Sequence, residues 1–103
     1  MNLSKIITEL NSKIKEKYSD FRGSYLYGSR ARGDYHEWSD VDIILIFDEY
    51  DRDKEMEVHG LIADLSYKYG VIIIGIPYTI KDLEGNGVFH NEVVNKGIYY
   101  NAA

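Results

Sequence analysis

The run Val41-Asp42-Ile43-Ile44-Leu45-Ile46-Phe47 constrains the fold of this chain more than any other stretch. Strand side chains alternate between two faces, and here both faces are apolar except at Asp42. The segment therefore reads as a central strand of a sheet. Residues 21–27 are short, aromatic-rich and alternating, which predicts a neighbouring strand. Leu3, Ile7, Leu10 and Ile14 recur at spacings of three and four, with Lys5, Glu9, Lys13 and Glu16 between them. That is the stripe of an amphipathic helix over 3–17. Val58, Leu61, Ile62, Leu65 and Tyr69 repeat the pattern over 55–69, and Gly70 is placed to stop it. Residues 71–76 (VIIIGI) predict another buried strand bounded by Pro77. Residues 82–87 predict a turn, and residues 88–96 a last helix before Gly97 and a short apolar end. The order α-β-β-α-β-α implies a two-layer α/β (α+β) domain, a small mixed sheet with its two long helices packed on one face. A chain of 103 residues holds one such core, so residues 1–103 are read as a single domain.

Composition removes whole classes of function. With 45% hydrophobic and 28% charged residues the chain matches ordinary globular usage, not disorder or low complexity. A formal net charge of −5 repels a phosphate backbone and argues against direct nucleic-acid binding. The absence of cysteine excludes disulfides, a thiol nucleophile and cysteine-ligated zinc, and fits a reducing, cytoplasmic setting. No apolar run approaches the roughly 20 residues of a membrane span, and Glu9 interrupts any signal-peptide core. His36, His59 and His90 are too scattered to announce a metal site. The acidic stretch from Asp48 to Glu57 lacks the glycine of a calcium loop and reads as a solvated connector. Of the ten tyrosines, Tyr25, Tyr27, Tyr67, Tyr69, Tyr99 and Tyr100 read as rimming the core or a protein interface.

The chemistry concentrates in residues 27–43, YGSRARGDYHEWSDVDI. Alternation puts Asp40 and Asp42 on one face of the central strand, about 7 Å apart along the chain. Two like charges about 6 Å apart at an effective dielectric near 20 repel by about 3 kcal/mol, and a cation would offset that. Hard Mg²⁺ uses one or two carboxylates together with water and phosphate oxygens. An Asp-x-Asp pair alone also serves as a solvated strand entrance or a cap. Here, however, Gly28-Ser29 lies ten residues upstream, at the end of the preceding strand and the start of a helical turn. Glycine permits close backbone approach, serine offers a hydroxyl, and the N–H groups of a helix start attract phosphate. A phosphate-gripping turn facing a metal-holding pair is what phosphoryl or nucleotidyl transfer requires. Arg30 and Arg32 either grip a triphosphate or are plain surface. Ser39 either contacts nucleotide or caps the loop. Tyr35, His36 and Trp38 either line a base pocket or pack over the core.

Gly28-Ser29, residues 30–39, then Asp40-Val41-Asp42 closely resembles the signature of the polymerase-β-like nucleotidyltransferase superfamily. The fuller GSRARG…SDVDI form looks like its minimal nucleotidyltransferases (MNT). The resemblance implies that Asp40 and Asp42 hold Mg²⁺, one ion or two, and that Gly28 and Ser29 bind the phosphates of a nucleoside triphosphate, typically ATP. It implies transfer of AMP to an acceptor hydroxyl with release of pyrophosphate. It further implies a HEPN-domain partner in a toxin–antitoxin module, in which the MNT protein can adenylylate a tyrosine of the toxin. So short a chain leaves the acceptor to be recognised by a partner or a homo-oligomer. One departure stands out: the family's third carboxylate usually sits on the later strand, and residues 71–76 contain no acid, so that Ile74 or Ile76 would take its place. The competing expectation is an antitoxin that neutralises its partner by contact alone.

Overall fold

The computed structural model describes residues 2–34, 36 and 39–102. Its first element, α1 (Leu3–Lys17), begins where Asn2 accepts a hydrogen bond from the Lys5 N–H at 3.1 Å. β1 (Phe21–Tyr27), the one-turn helix α2 (Ser29–Arg32), β2 (Val41–Phe47) and the long helix α3 (Arg52–Tyr69) follow. β3 (Ile73–Thr79) leads into two short helices, α4 (Ile80–Glu84) and α5 (Gly87–His90). A π-helical turn, Asn91–Asn95, and β4 (Ile98–Asn101) complete the order.

The four strands form one sheet in the order β3-β2-β1-β4. β1 runs antiparallel to both β2 and β4, whereas β2 and β3 are parallel and joined through α3. β2 is thus internal, as its two apolar faces require. Val41, Ile43, Leu45 and Phe47 pack with Leu10 and Ile14 of α1 and Val58, Ile62 and Leu65 of α3 in the main core. Each such side chain, fully buried, contributes about 1.5–3 kcal/mol. The opposite face is not open. Ile44 and Ile46 are covered by Leu83 of α4 and Val93 of the π turn, with Tyr25, Tyr27, Tyr78 and Phe89 packed around them. The two long helices lie on one face as expected, and the segment after β3 supplies a second, smaller layer on the other.

Four parts of the sequence expectation differ, and the first is the turn expected over 82–87, where Asp82 to Glu84 end α4 and Gly87 begins α5. α3 starts at Arg52, capped by Asp51, whose side chain accepts from the Lys54 N–H at 2.9 Å. β3 begins at Ile73 and passes through Pro77. The Val41 N–H donates to the Ile72 carbonyl at 2.9 Å, which sets the ladder so that the nitrogen of the buried Pro77 points away from β2 on an edge strand. Its missing N–H therefore costs no sheet bond. The expected last helix is replaced by α5 and the π turn, and the apolar end is the edge strand β4. A buried polar link fastens that strand: Asn11 of α1 donates to the Tyr100 carbonyl at 3.0 Å and accepts from the Ser24 hydroxyl. No helix among the described residues is long and apolar enough to cross a membrane.

Candidate active site

β1 ends at Tyr27, and the chain turns at Gly28 with φ +75° and ψ −155°. This backbone region is essentially closed to side-chain-bearing residues. Gly28 is then the start of α2: the N–H groups of Ala31 and Arg32 both donate to its carbonyl at 3.1 Å. What makes the turn a site is its neighbour. A Cβ placed on Gly28 would lie 2.8 Å from the Asp42 Oδ2. The Gly28 backbone therefore lies close against the Asp42 carboxylate, so the turn and the second acid of the pair share one location. Ser29 follows as the first residue of α2 and is partly exposed at the same place.

Asp42 is half-buried at the beginning of β2. Its carboxyl is pushed above the ordinary carboxylate range, first by burial and then by the negative charge of Asp40, while Arg32 opposes the rise. The charge of Asp40, which stands just before β2, is thus felt at Asp42. The register places Tyr27 on one side of Asp42 and Ile74 on the other. Tyr27 packs edge-on against Phe89, with ring centroids 5.6 Å apart, and burial and then Asp42 push its hydroxyl upward. Ile74, rather than Ile76, is the β3 residue beside Asp42, and it is 40% exposed. Among the described residues no three His, Cys, Asp or Glu side chains gather into a metal-binding group. The donor set offered to a metal is therefore a pair of hard carboxylates beside a phosphate-type turn. It suits Mg²⁺, which completes its shell with water and phosphate oxygens.

The other sequence-derived candidates separate into distinct positions. Arg32 is half exposed, its guanidinium donating to Asp34 at 3.2 Å and to Glu92 at 3.3 Å. Arg30 is buried and donates to the Ser39 carbonyl. The Ser39 hydroxyl caps the loop, accepting from the His36 N–H at 3.0 Å. Of the three base-pocket candidates, Tyr35 and Trp38 lie outside the described residues and His36 is exposed. Sequence reading missed Glu92, which reaches Arg32 from 60 residues away with no local signal. It also missed Tyr27 as a wall of the site, although antiparallel pairing of the two strands would have put it opposite Asp42.

Comparison with known proteins places the chain in a family. Residues 4–100 match the family described as "Nucleotidyltransferase domain". A relative from Methanocaldococcus jannaschii, described as a candidate protein adenylyltransferase, is 37% identical over 101 residues, spanning 94% of this chain and 96% of its own. Among solved structures, a toxin–antitoxin complex with AMP-PNP contains a chain that superposes with a TM-score of 0.66 at 21% identity. That match covers 100% of this chain and 73% of the other. A complex of tri-AMPylated HEPN toxin with MNT antitoxin from Shewanella oneidensis contains another, with a TM-score of 0.57 at 16% identity, covering 98% of this chain and 72% of that one. At such identities the structural likeness speaks for the fold alone, whereas the match across residues 4–100 and the 37% identical relative speak for descent. The chain belongs to the nucleotidyltransferase domain family, and it is a nucleotidyltransferase.

Proposed function

We propose that this nucleotidyltransferase transfers AMP from ATP, with Mg²⁺, to a hydroxyl of a protein partner. The observation that carries the reading is the contact between the Gly28 backbone and the Asp42 carboxylate. It supports a reading in which the turn and the acid pair engage one triphosphate. Asp40 and Asp42 would hold the metal, which when bound neutralises charge on the phosphates. Gly28 and Ser29 present first-turn amides and a hydroxyl to the phosphate oxygens. Arg32, exposed beside them, adds a guanidinium. The acceptor oxygen forms a bond to the α-phosphorus, the α–β bridging P–O bond breaks, and its electron pair leaves on pyrophosphate. The acceptor proton passes to solvent or to a group that the partner brings.

The partner best supported is a HEPN-type toxin, with this chain as the cytoplasmic antitoxin, because neighbours of the same fold come from toxin–antitoxin complexes. Incubation with α-labelled ATP, Mg²⁺ and the product of the adjacent gene should label that protein, and Asp42→Asn should abolish labelling. Labelling that survives the substitution would contradict the role given to Asp42. A second reading is favoured by Ile74 beside Asp42, where an acid would complete the site. Ile74 and Ile76 of β3, with Ile72 just before it, are instead exposed apolar side chains. An antitoxin acting by contact alone predicts that the double substitution Asp40→Asn, Asp42→Asn leaves toxin neutralisation intact, whereas the enzymatic reading predicts its loss.

A further inference from the structure

Two arginines flank the Gly28–Ser29 turn, and the structure gives them opposite surroundings. Arg32 faces solvent and acids. Arg30 is only 8% exposed, and its Nε and Nη2 both donate to the Ser39 carbonyl oxygen, at 3.3 Å and 2.9 Å. That carbonyl belongs to the peptide unit joining Ser39 to Asp40, the unit that delivers the first carboxylate. At its other end Arg30 follows directly on Ser29, inside α2. One side chain therefore spans both halves of the candidate site. At the same point the Ser39 N–H donates to the His36 carbonyl at 3.0 Å while the Ser39 hydroxyl accepts from the His36 N–H.

We propose that Arg30 is a positioning residue that sets the gap between the phosphate-binding turn and the Asp40–Asp42 pair, rather than a ligand of the triphosphate. This rests on the nucleotidyl-transfer reading above. A guanidinium suits the task because its planar fork fixes the direction of two donors, whereas a lysine ammonium is a compact charge with freely rotating donors. With Arg30 only 8% exposed, little of its guanidinium is open to a phosphate. Arg32 is already outside.

The test begins with the wild-type protein, by ¹⁵N NMR of the arginine Nε–H groups with and without Mg²⁺ and an ATP analogue that cannot be cleaved between the α- and β-phosphates. The Arg30 signal should exchange slowly with water and stay unchanged on addition, while the Arg32 signal shifts. A rapidly exchanging Arg30 signal, or one that moves with the nucleotide, overturns the proposal. Arg30→Lys and Arg30→Gln, checked for native circular dichroism, extend it to function. At saturating Mg²⁺, kcat should fall by about 100-fold, the cost of an ångström-scale misplacement, with the KM for ATP changed less than about threefold. Affinity for Mn²⁺ in the presence of the analogue, read by electron paramagnetic resonance, should fall as well. Arg32→Gln should show the reverse split, a raised KM with kcat little changed. A raised KM with unchanged kcat in the Arg30 variants, or wild-type behaviour, refutes the assignment. Failure of wild-type protein to bind Mn²⁺ and analogue together refutes the nucleotidyl-transfer reading and this proposal with it.

Discussion

Gly28→Ala tests whether the close approach at the heart of the site matters beyond local backbone strain. Gly28 combines φ +75° with ψ −155°, a conformation in which a side-chain-bearing residue costs about 1–3 kcal/mol. The new methyl would also stand 2.8 Å from the Asp42 Oδ2, where ordinary van der Waals contact begins near 3.4 Å. The carboxylate would have to retreat by more than half an ångström, or the turn would have to shift. Gly33 provides the control. It too has positive φ, at +85°, in the left-handed region, and a Cβ there meets nothing within 4 Å. Gly33→Ala should therefore cost about 1–2 kcal/mol of stability and leave transfer intact. Gly28→Ala should cost a comparable amount, lowering Tm by about 4–8 °C per kcal/mol in a domain of this size. In addition it should reduce AMP transfer by about 100-fold. Thermal melts and a label-transfer assay on both variants, run well below either Tm, separate the two effects. If Gly28→Ala transfers AMP as well as Gly33→Ala, the contact with Asp42 is incidental and the construction of the site given above is wrong.

Two further substitutions probe the scaffold. Asn11→Ala strands the fully buried Ser24 hydroxyl and removes the bond to the Tyr100 carbonyl, so denaturant unfolding should show a loss of about 2 kcal/mol and β4 amides should exchange faster. Glu57 accepts hydrogen bonds from Lys17 and Tyr18, which hold its carboxyl below the usual range, so its contribution is present above that range and is lost as pH falls through the lowered folded value. The gap in Tm between wild type and Glu57→Gln should accordingly be open at pH 7 and close in acid; a gap that persists there would show that charge at Glu57 is not its source.

The parts of the fold legible in the sequence are those whose pattern is long and whose burial is complete. α1, β1 and β2 fall where periodicity puts them, because Leu10, Ile14, Phe21 and the residues of β2 meet one core that leaves no choice of face. The placement of the candidate site residues was legible for a different reason. Gly28-Ser29 and Asp40-x-Asp42 lie at facing ends of two adjacent strands, so sequence spacing translates into spatial neighbourhood. What escaped depends on partners distant in the chain. Pro77 marks the end of a strand only if its N–H is needed, and on an edge it is not. The segment from Ile80 to Asn95 breaks into short helical pieces capped by Thr79 and Asn86, and its apolar residues answer to Ile44 and Ile46 rather than to a period of their own. Arg30 and Arg32, two residues apart and alike in sequence, end up in different surroundings because one turns inward to a carbonyl nine residues on.

Asp42 carries a burden that the metal-free fold does not need. Its carboxyl is partly desolvated and faces the charge of Asp40, so the folded protein retains the proton to higher pH than the unfolded chain does. Stability linked to that proton is full below the ordinary carboxylate range and is lost as pH rises through the elevated folded value. At pH 7 the ionised side chain therefore opposes folding, and the near-isosteric, uncharged asparagine relieves it. Metal-free Asp42→Asn should melt above wild type at pH 7, and the difference should vanish in acid, where Asp42 is protonated in both states. Mg²⁺ and nucleotide should reverse the order, since a ligand bound to the folded wild type at 100 times its Kd adds about 2.7 kcal/mol and the variant cannot draw on it. Differential scanning fluorimetry across pH, with and without ligand, reads both halves. A metal-free variant that melts below wild type at neutral pH would mean that the Asp42 carboxylate holds the fold together, and its place against Gly28 would then be architecture rather than a site waiting for a cation.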